Sequence, residues 1–73
     1  MLFGPKLGTI LSVQPVDIHG THMLDIIYKL DGEADARAAR MGMEALYGEP
    51  HPGERVRVHL LMNVVTRIDL EAP

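Results

Sequence analysis

The residues most able to do chemistry in this chain are its histidines. His19-Gly20-Thr21-His22 sets two imidazoles three residues apart in a predicted turn, a spacing from which both reach one metal ion. His19 and His22 are therefore candidate ligands for a transition metal. The pair is incomplete, because zinc takes four ligands, or three and a water, and the chain has no cysteine. His51, Asp17 or Asp25 would have to converge on it by folding. Polar turn residues are the plain alternative, and no other cofactor is expected.

A second constellation is the row Arg55, Arg57 and His59, which alternation places on one face of a strand. Such a row can meet carboxylates, phosphates or an acidic partner. It serves equally well as a solvated face. Asp31, Glu33 and Asp35 cluster where a turn is expected, and solvation accounts for them. No Ser/His/Asp grouping has informative spacing, no glycine-rich loop precedes a helix, and a cysteine nucleophile is impossible. The chain is therefore expected not to be an enzyme. Its five methionines fit core filling and also adaptable binding surfaces.

The elements that must carry these residues read mostly as strands, by alternation of apolar and polar positions. Leu7, Thr9, Leu11 and Val13 predict one face of a first strand that ends before Pro15, with a turn from Asp17 to Thr21. Leu24, Ile26, Tyr28 and Leu30 predict the buried side of a second, and Asp31-Gly32 after them signals a hairpin turn. Residues 33–47 are ambiguous. Ala36, Ala39, Met43 and Leu46 recur at helical spacing, whereas Arg37, Ala39, Met41 and Met43 alternate against Ala38, Arg40 and Gly42. Pro50, Pro52 and Gly53 break the chain before a clear strand, in which Val56, Val58, Leu60 and Met62 oppose Arg55, Arg57, His59 and Leu61. Val64, Thr66, Ile68 and Leu70 continue it as a further strand or a bent extension. Five short strands predict an all-β fold, a small five-stranded barrel in one domain of residues 1–73.

Composition supports a folded, globular chain. At 73 residues a domain buries only about 60% of the surface of its unfolded chain, so a tight core, self-association or docking must supplement its stability. A net charge of −3 gives no pull towards a phosphate backbone, and one Phe, two Tyr and no Trp leave few platforms for stacking bases. Nucleic acid is not an expected partner. Neither is a membrane, since no apolar run approaches the ~20 residues of a spanning helix. The opening Met1-Leu2-Phe3-Gly4-Pro5-Lys6 does not read as a secretory signal, and a cytoplasmic location is expected.

The run Ala45-Leu46-Tyr47-Gly48-Glu49-Pro50-His51-Pro52-Gly53-Glu54-Arg55-Val56-Arg57-Val58-His59 resembles the HypC/HupF family of hydrogenase-assembly chaperones. In that family a Leu-Gly turn leads to a Pro-Gly-acidic turn and a strand ending in Val-His. Ile68-Asp69-Leu70-Glu71-Ala72 resembles the family's continuation. The resemblance covers roughly residues 36–72, and the first 35 in outline. It implies an oligonucleotide-binding-like (OB-like) β-barrel and tips the segment around Ala36 to Met43 towards strand. It also implies a chaperone that escorts the iron centre of nickel-iron hydrogenase between a maturation protein and the large-subunit precursor. His59 matches the family histidine, but the family's cysteine after the initiator is replaced by Leu2, so thiolate ligation of iron is not inherited. The Gly-Phe-Ala stretch after the histidine is replaced by Leu60-Leu61-Met62-Asn63. What carries over is an accessory protein that binds a metalloenzyme subunit or maturation factor, with Leu2, Pro5, Arg55, Arg57 and His59 as the expected partner-binding residues. The alternative is a structural subunit that self-associates through Leu60, Leu61 and Met62.

Overall fold

The computed structural model describes residues 4–71 and is all-β. Its strands are β1 (Lys6–Ile18), β2 (Thr21–Leu30), β3 (Arg37–Gly42), β4 (Arg55–Leu61) and β5 (Val64–Leu70), with a single 3₁₀ turn at Met43–Ala45. They form one antiparallel sheet in the order β3-β2-β1-β4-β5. The ambiguous segment is thus a strand followed by one helical turn. The end strands β3 and β5 are not ladder partners, and they face one another across a cleft.

The alternation in β2 and β4 translates directly into a core. Ile26, Val56 and Val58 have no exposed surface, Tyr28 and Leu30 retain 2%, and Ile10, Met41 and Ile68 close over them. Each such side chain contributes about 1.5–3 kcal/mol relative to leaving it in water.

β1 departs from its predicted face. Leu7 and Leu11 point outward, and the inward positions are Gly8 and Ile10. The cause is a bulge: Ile10 pairs with Tyr28 and Ser12 with Ile27, so Leu11 is the extra residue and the parity changes there. Val13, beyond the bulge, does pack on the core. Gly8 fills the inward site because the backbone of β2 leaves no room, a Cβ there lying 2.6 Å from the Lys29 carbonyl oxygen.

Pro15 does not end the strand. β4 pairs with β1 only from Lys6 to Thr9, so the later part of β1 has β2 as its one strand neighbour and a missing donor is tolerated there. The predicted Asp17 to Thr21 turn contracts to His19 and Gly20, whose φ angles of 50° and 84° are those of a tight hairpin. Asp31-Gly32 does turn, with Gly32 at φ 86°, but residues 31–36 intervene before β3, so it is no two-residue hairpin.

The C-terminal hairpin differs in the same way as β1. Met62 is not a strand residue but the first of a two-residue turn with Asn63, at φ 50° and 70°, and it is 91% exposed. His59 pairs with Arg67 but Leu60 with Val65, so Thr66 is a second bulge, its hydroxyl donating to the His59 carbonyl at 3.3 Å. Beyond that bulge Val65 faces the core and Val64 faces solvent, the reverse of the simple alternation. Ile68 lies inward as expected, whereas Leu70 reaches the rim half exposed.

Gly8→Ala should lower stability by about 1–3 kcal/mol, the cost of overpacking against main chain. Gly20→Ala, with no atom within 4 Å but φ at 84°, should cost about 1 kcal/mol through backbone strain alone. Urea midpoints at constant m-value measure both, and a neutral Gly8→Ala would contradict the close approach of β1 and β2.

Candidate protein-binding surface

The outer faces of β1, β4 and β5 carry the predicted donor row, and strand register sorts it into transverse lines. In the first, Thr9, Arg55 and Glu71 lie side by side. Arg55 donates to Thr9 Oγ1 at 2.9 Å and grips both oxygens of Asp31 at 2.7 and 2.5 Å, with Glu71 Oε1 at 3.5 Å. The Arg55 guanidinium beside Asp31 holds that carboxyl below its ordinary range. Arg55 is thus committed to its own fold.

The second line is Leu7, Arg57 and Asp69. Asp69 is taken by neighbours, receiving Arg67 Nε at 2.7 Å and standing 3.1 Å from His59 Nε2. Although desolvation opposes it, the Arg67 hydrogen bond and then His59 leave the Asp69 carboxyl below its usual value. Arg57 has no ion pair among the described residues. It is the arginine of the row that remains available. Extending the β1–β4 register by one residue beyond Lys6–Val58 sets exposed Pro5 beside His59. Leu2 lies outside the described residues.

His22 faces Asp17 across the β1–β2 hairpin, Nδ1 to Oδ1 at 2.5 Å, and His19 forms the turn itself. Asp25 is paired with Arg40, and His51 lies in the loop before β4 with its N–H on Glu54. No group of three or more metal-ligating side chains converges among the described residues.

Of the strongest surface feature, the sequence named Leu61 and Met62 as an association surface and did not include Val64. Leu61 (65% exposed), Met62 (91%) and Val64 (64%) make an apolar tip on the β4–β5 hairpin. Leu60, which the self-association alternative added to that surface, packs against the core beside Val56 and Val58, as alternation placed it. The signal was present as an apolar run through Asn63, but only the turn and the Thr66 bulge decide which of its residues face water.

Beside the tip opens the cleft between β3 and β5, about 520 Å³ in volume, with Tyr28 and Met41 among its lining residues. Burial pushes the Tyr28 hydroxyl up, opposed by Arg37. Arg37 is held by Glu33 at 2.8 and 2.9 Å and reaches across to Asn63 Oδ1 at 3.3 Å. On the outer face Arg40 grips Asp25 at 2.7 and 3.0 Å.

The loop before β4 is organised by Glu54. Its Oε1 accepts the Tyr47 hydroxyl at 2.5 Å and the His51 N–H at 2.7 Å, which hold the carboxyl below its ordinary value, Tyr47 contributing most. Burial, followed by this hydrogen bond, pushes the Tyr47 hydroxyl up. Gly53, at φ 91°, completes the turn and donates to the Ile10 carbonyl at 2.7 Å.

No helix among the described residues is long and apolar enough to cross a membrane. No family model, curated protein or solved structure matches this chain.

Because Glu54 is stabilised as the anion in the folded state, its contribution is present above the unfolded carboxyl value of about 4.3 and is lost as pH falls through the lower folded value. Glu54→Gln should therefore lower Tm most near neutrality. The gap from wild type should close in acid, and a Tm difference that stays constant across pH would refute the assignment.

Proposed function

We propose that this chain is a HypC-like accessory protein that binds a polypeptide, a subunit or maturation partner of a nickel-iron hydrogenase-type metalloenzyme, and does no chemistry of its own. The observation that carries the reading is the apolar tip of Leu61, Met62 and Val64. The hairpin already orders the backbone that carries these side chains, so docking need restrain only the side chains while burying their apolar surface. The stretch that resembles the family supports the choice of partner. Its Pro52-Gly53-Glu54 segment turns directly into β4, which runs through Val58-His59. Arg57, which has no ion pair among the described residues, and the Pro5–His59 corner give the partner a polar rim beside this apolar centre.

Leu2 in place of the family cysteine leaves no thiolate for an iron centre, so the proposed role is docking on the client protein without carrying metal. A second reading, a structural subunit that self-associates, draws on the open edges of β3 and β5.

Tagged protein expressed in its host should recover a hydrogenase-type large subunit or its maturation factor, identified by mass spectrometry. Met62→Asp should abolish that recovery while shifting stability by less than about 0.5 kcal/mol, since the side chain makes no core contact. Recovery of nucleic acid alone, or of nothing, overturns the reading. Concentration-dependent dimerisation lost in Met62→Asp, without a client, favours the second.

A further inference from the structure

With no cysteine and no tryptophan in the chain, its thioethers are the side chains that a peroxide oxidises most readily. The four methionines among the described residues differ widely in access. Met41 keeps 4% of its surface, Met23 is partly buried in β2, Met43 is 43% exposed at the start of the 3₁₀ turn, and Met62 is 91% exposed. An oxidant reaches Met62 without any opening of the fold, whereas Met41 is reached only when the core opens.

Met62 is also the position where that chemistry matters most. It stands between Leu61 and Val64 in the exposed tip, and of these three apolar side chains it alone carries an atom that a peroxide attacks. Oxidation exchanges a weakly accepting thioether for a sulfoxide, whose oxygen is a strong hydrogen-bond acceptor. Such a group keeps its water and resists burial against an apolar surface. A single oxygen atom therefore changes the tip from apolar to polar at its most prominent side chain.

We propose that Met62 is a reversible oxidation site, at which conversion to the sulfoxide by hydrogen peroxide releases the bound polypeptide. This rests on the protein-binding reading and adds the regulation of its surface. In the forward step a sulfur lone pair attacks one peroxide oxygen, and the O–O bond breaks as the S–O bond forms. Sulfur gives up two electrons, and the proton on the transferred oxygen passes to the departing hydroxide, which leaves as water. A sulfoxide reductase supplied with a dithiol reverses the change, the oxygen leaving as water and the dithiol closing to a disulfide.

The full chain is treated with graded hydrogen peroxide and mapped by peptide mass spectrometry. Met62 should gain one oxygen ahead of Met43 and Met23, with Met41 protected until urea unfolds the chain. The urea midpoint of protein oxidised at Met62 should stay at that of untreated protein. As bait in host extract, the oxidised protein should lose the hydrogenase-type client that untreated protein recovers, and sulfoxide reductase with dithiothreitol should restore it. Met62→Leu keeps the tip apolar without sulfur, so it should recover the client equally before and after peroxide. Oxidation of Met43 or Met23 ahead of Met62, recovery that survives full oxidation of Met62, or loss that persists in Met62→Leu overturns the proposal and leaves the parent reading in place. Absence of a client before any oxidation overturns the parent reading, and the release step with it.

Discussion

The sheet depends on the double duty of residues 6–10 in β1. This short stretch pairs with β2 on one side and β4 on the other, and Ile10 exchanges main-chain hydrogen bonds with Gly53 and Glu54 at its end. Gly8 lets β1 and β2 approach closely, and at Leu11 a bulge shifts the register of the rest of β1. Buried Ile10 then anchors both hairpins on one core. Were this stretch to slip by one residue, a side chain would enter the site of Gly8, where β2 leaves space for none, and Ile10 would leave the core.

Outside the core, electrostatics spend most of the positive charge internally. Arg37, Arg40, Arg55 and Arg67 each hold a carboxylate of this same chain. Exposed pairs of this kind add little stability individually, being screened and entropically costly. Their stronger effect is on recognition, since they pin side chains and remove charges that an outside ligand would otherwise meet. An odd number of strands has a parallel effect on the main chain: strict alternation leaves both ends of the sheet pointing the same way, so they cannot complete an antiparallel ladder with each other.

Where the strand itself carries no extra residue, the sequence is transparent. Ile26, Tyr28 and Leu30, and likewise Val56 and Val58, alternate and are buried as alternation requires. The all-β class and the break at Pro50 to Gly53 were legible in the residues, whereas alternation alone left the segment after Ala36 open between helix and strand. Reading failed at Leu7, Leu11, Val64 and Met62, and each failure traces to a bulge or a two-residue turn that changes parity without leaving a pattern in residue type. Gly8 was invisible as a core position because the residue there is defined by the space it does not fill. Among the site residues, spacing placed Arg55, Arg57 and His59 on one face, but which of them is free depends on Asp31, Glu71 and Asp69, brought there by register rather than by proximity in the chain.

The β4–β5 turn carries a further implication. Its first residue adopts a left-handed backbone, a conformation that asparagine accepts readily and that an unbranched side chain such as methionine enters only at an energetic loss. For folding alone, glycine at position 62 would be the better choice. A bulky thioether kept in that place, turned wholly to solvent, makes this corner one where the polypeptide gives up stability to keep a sticky and pliable contact point.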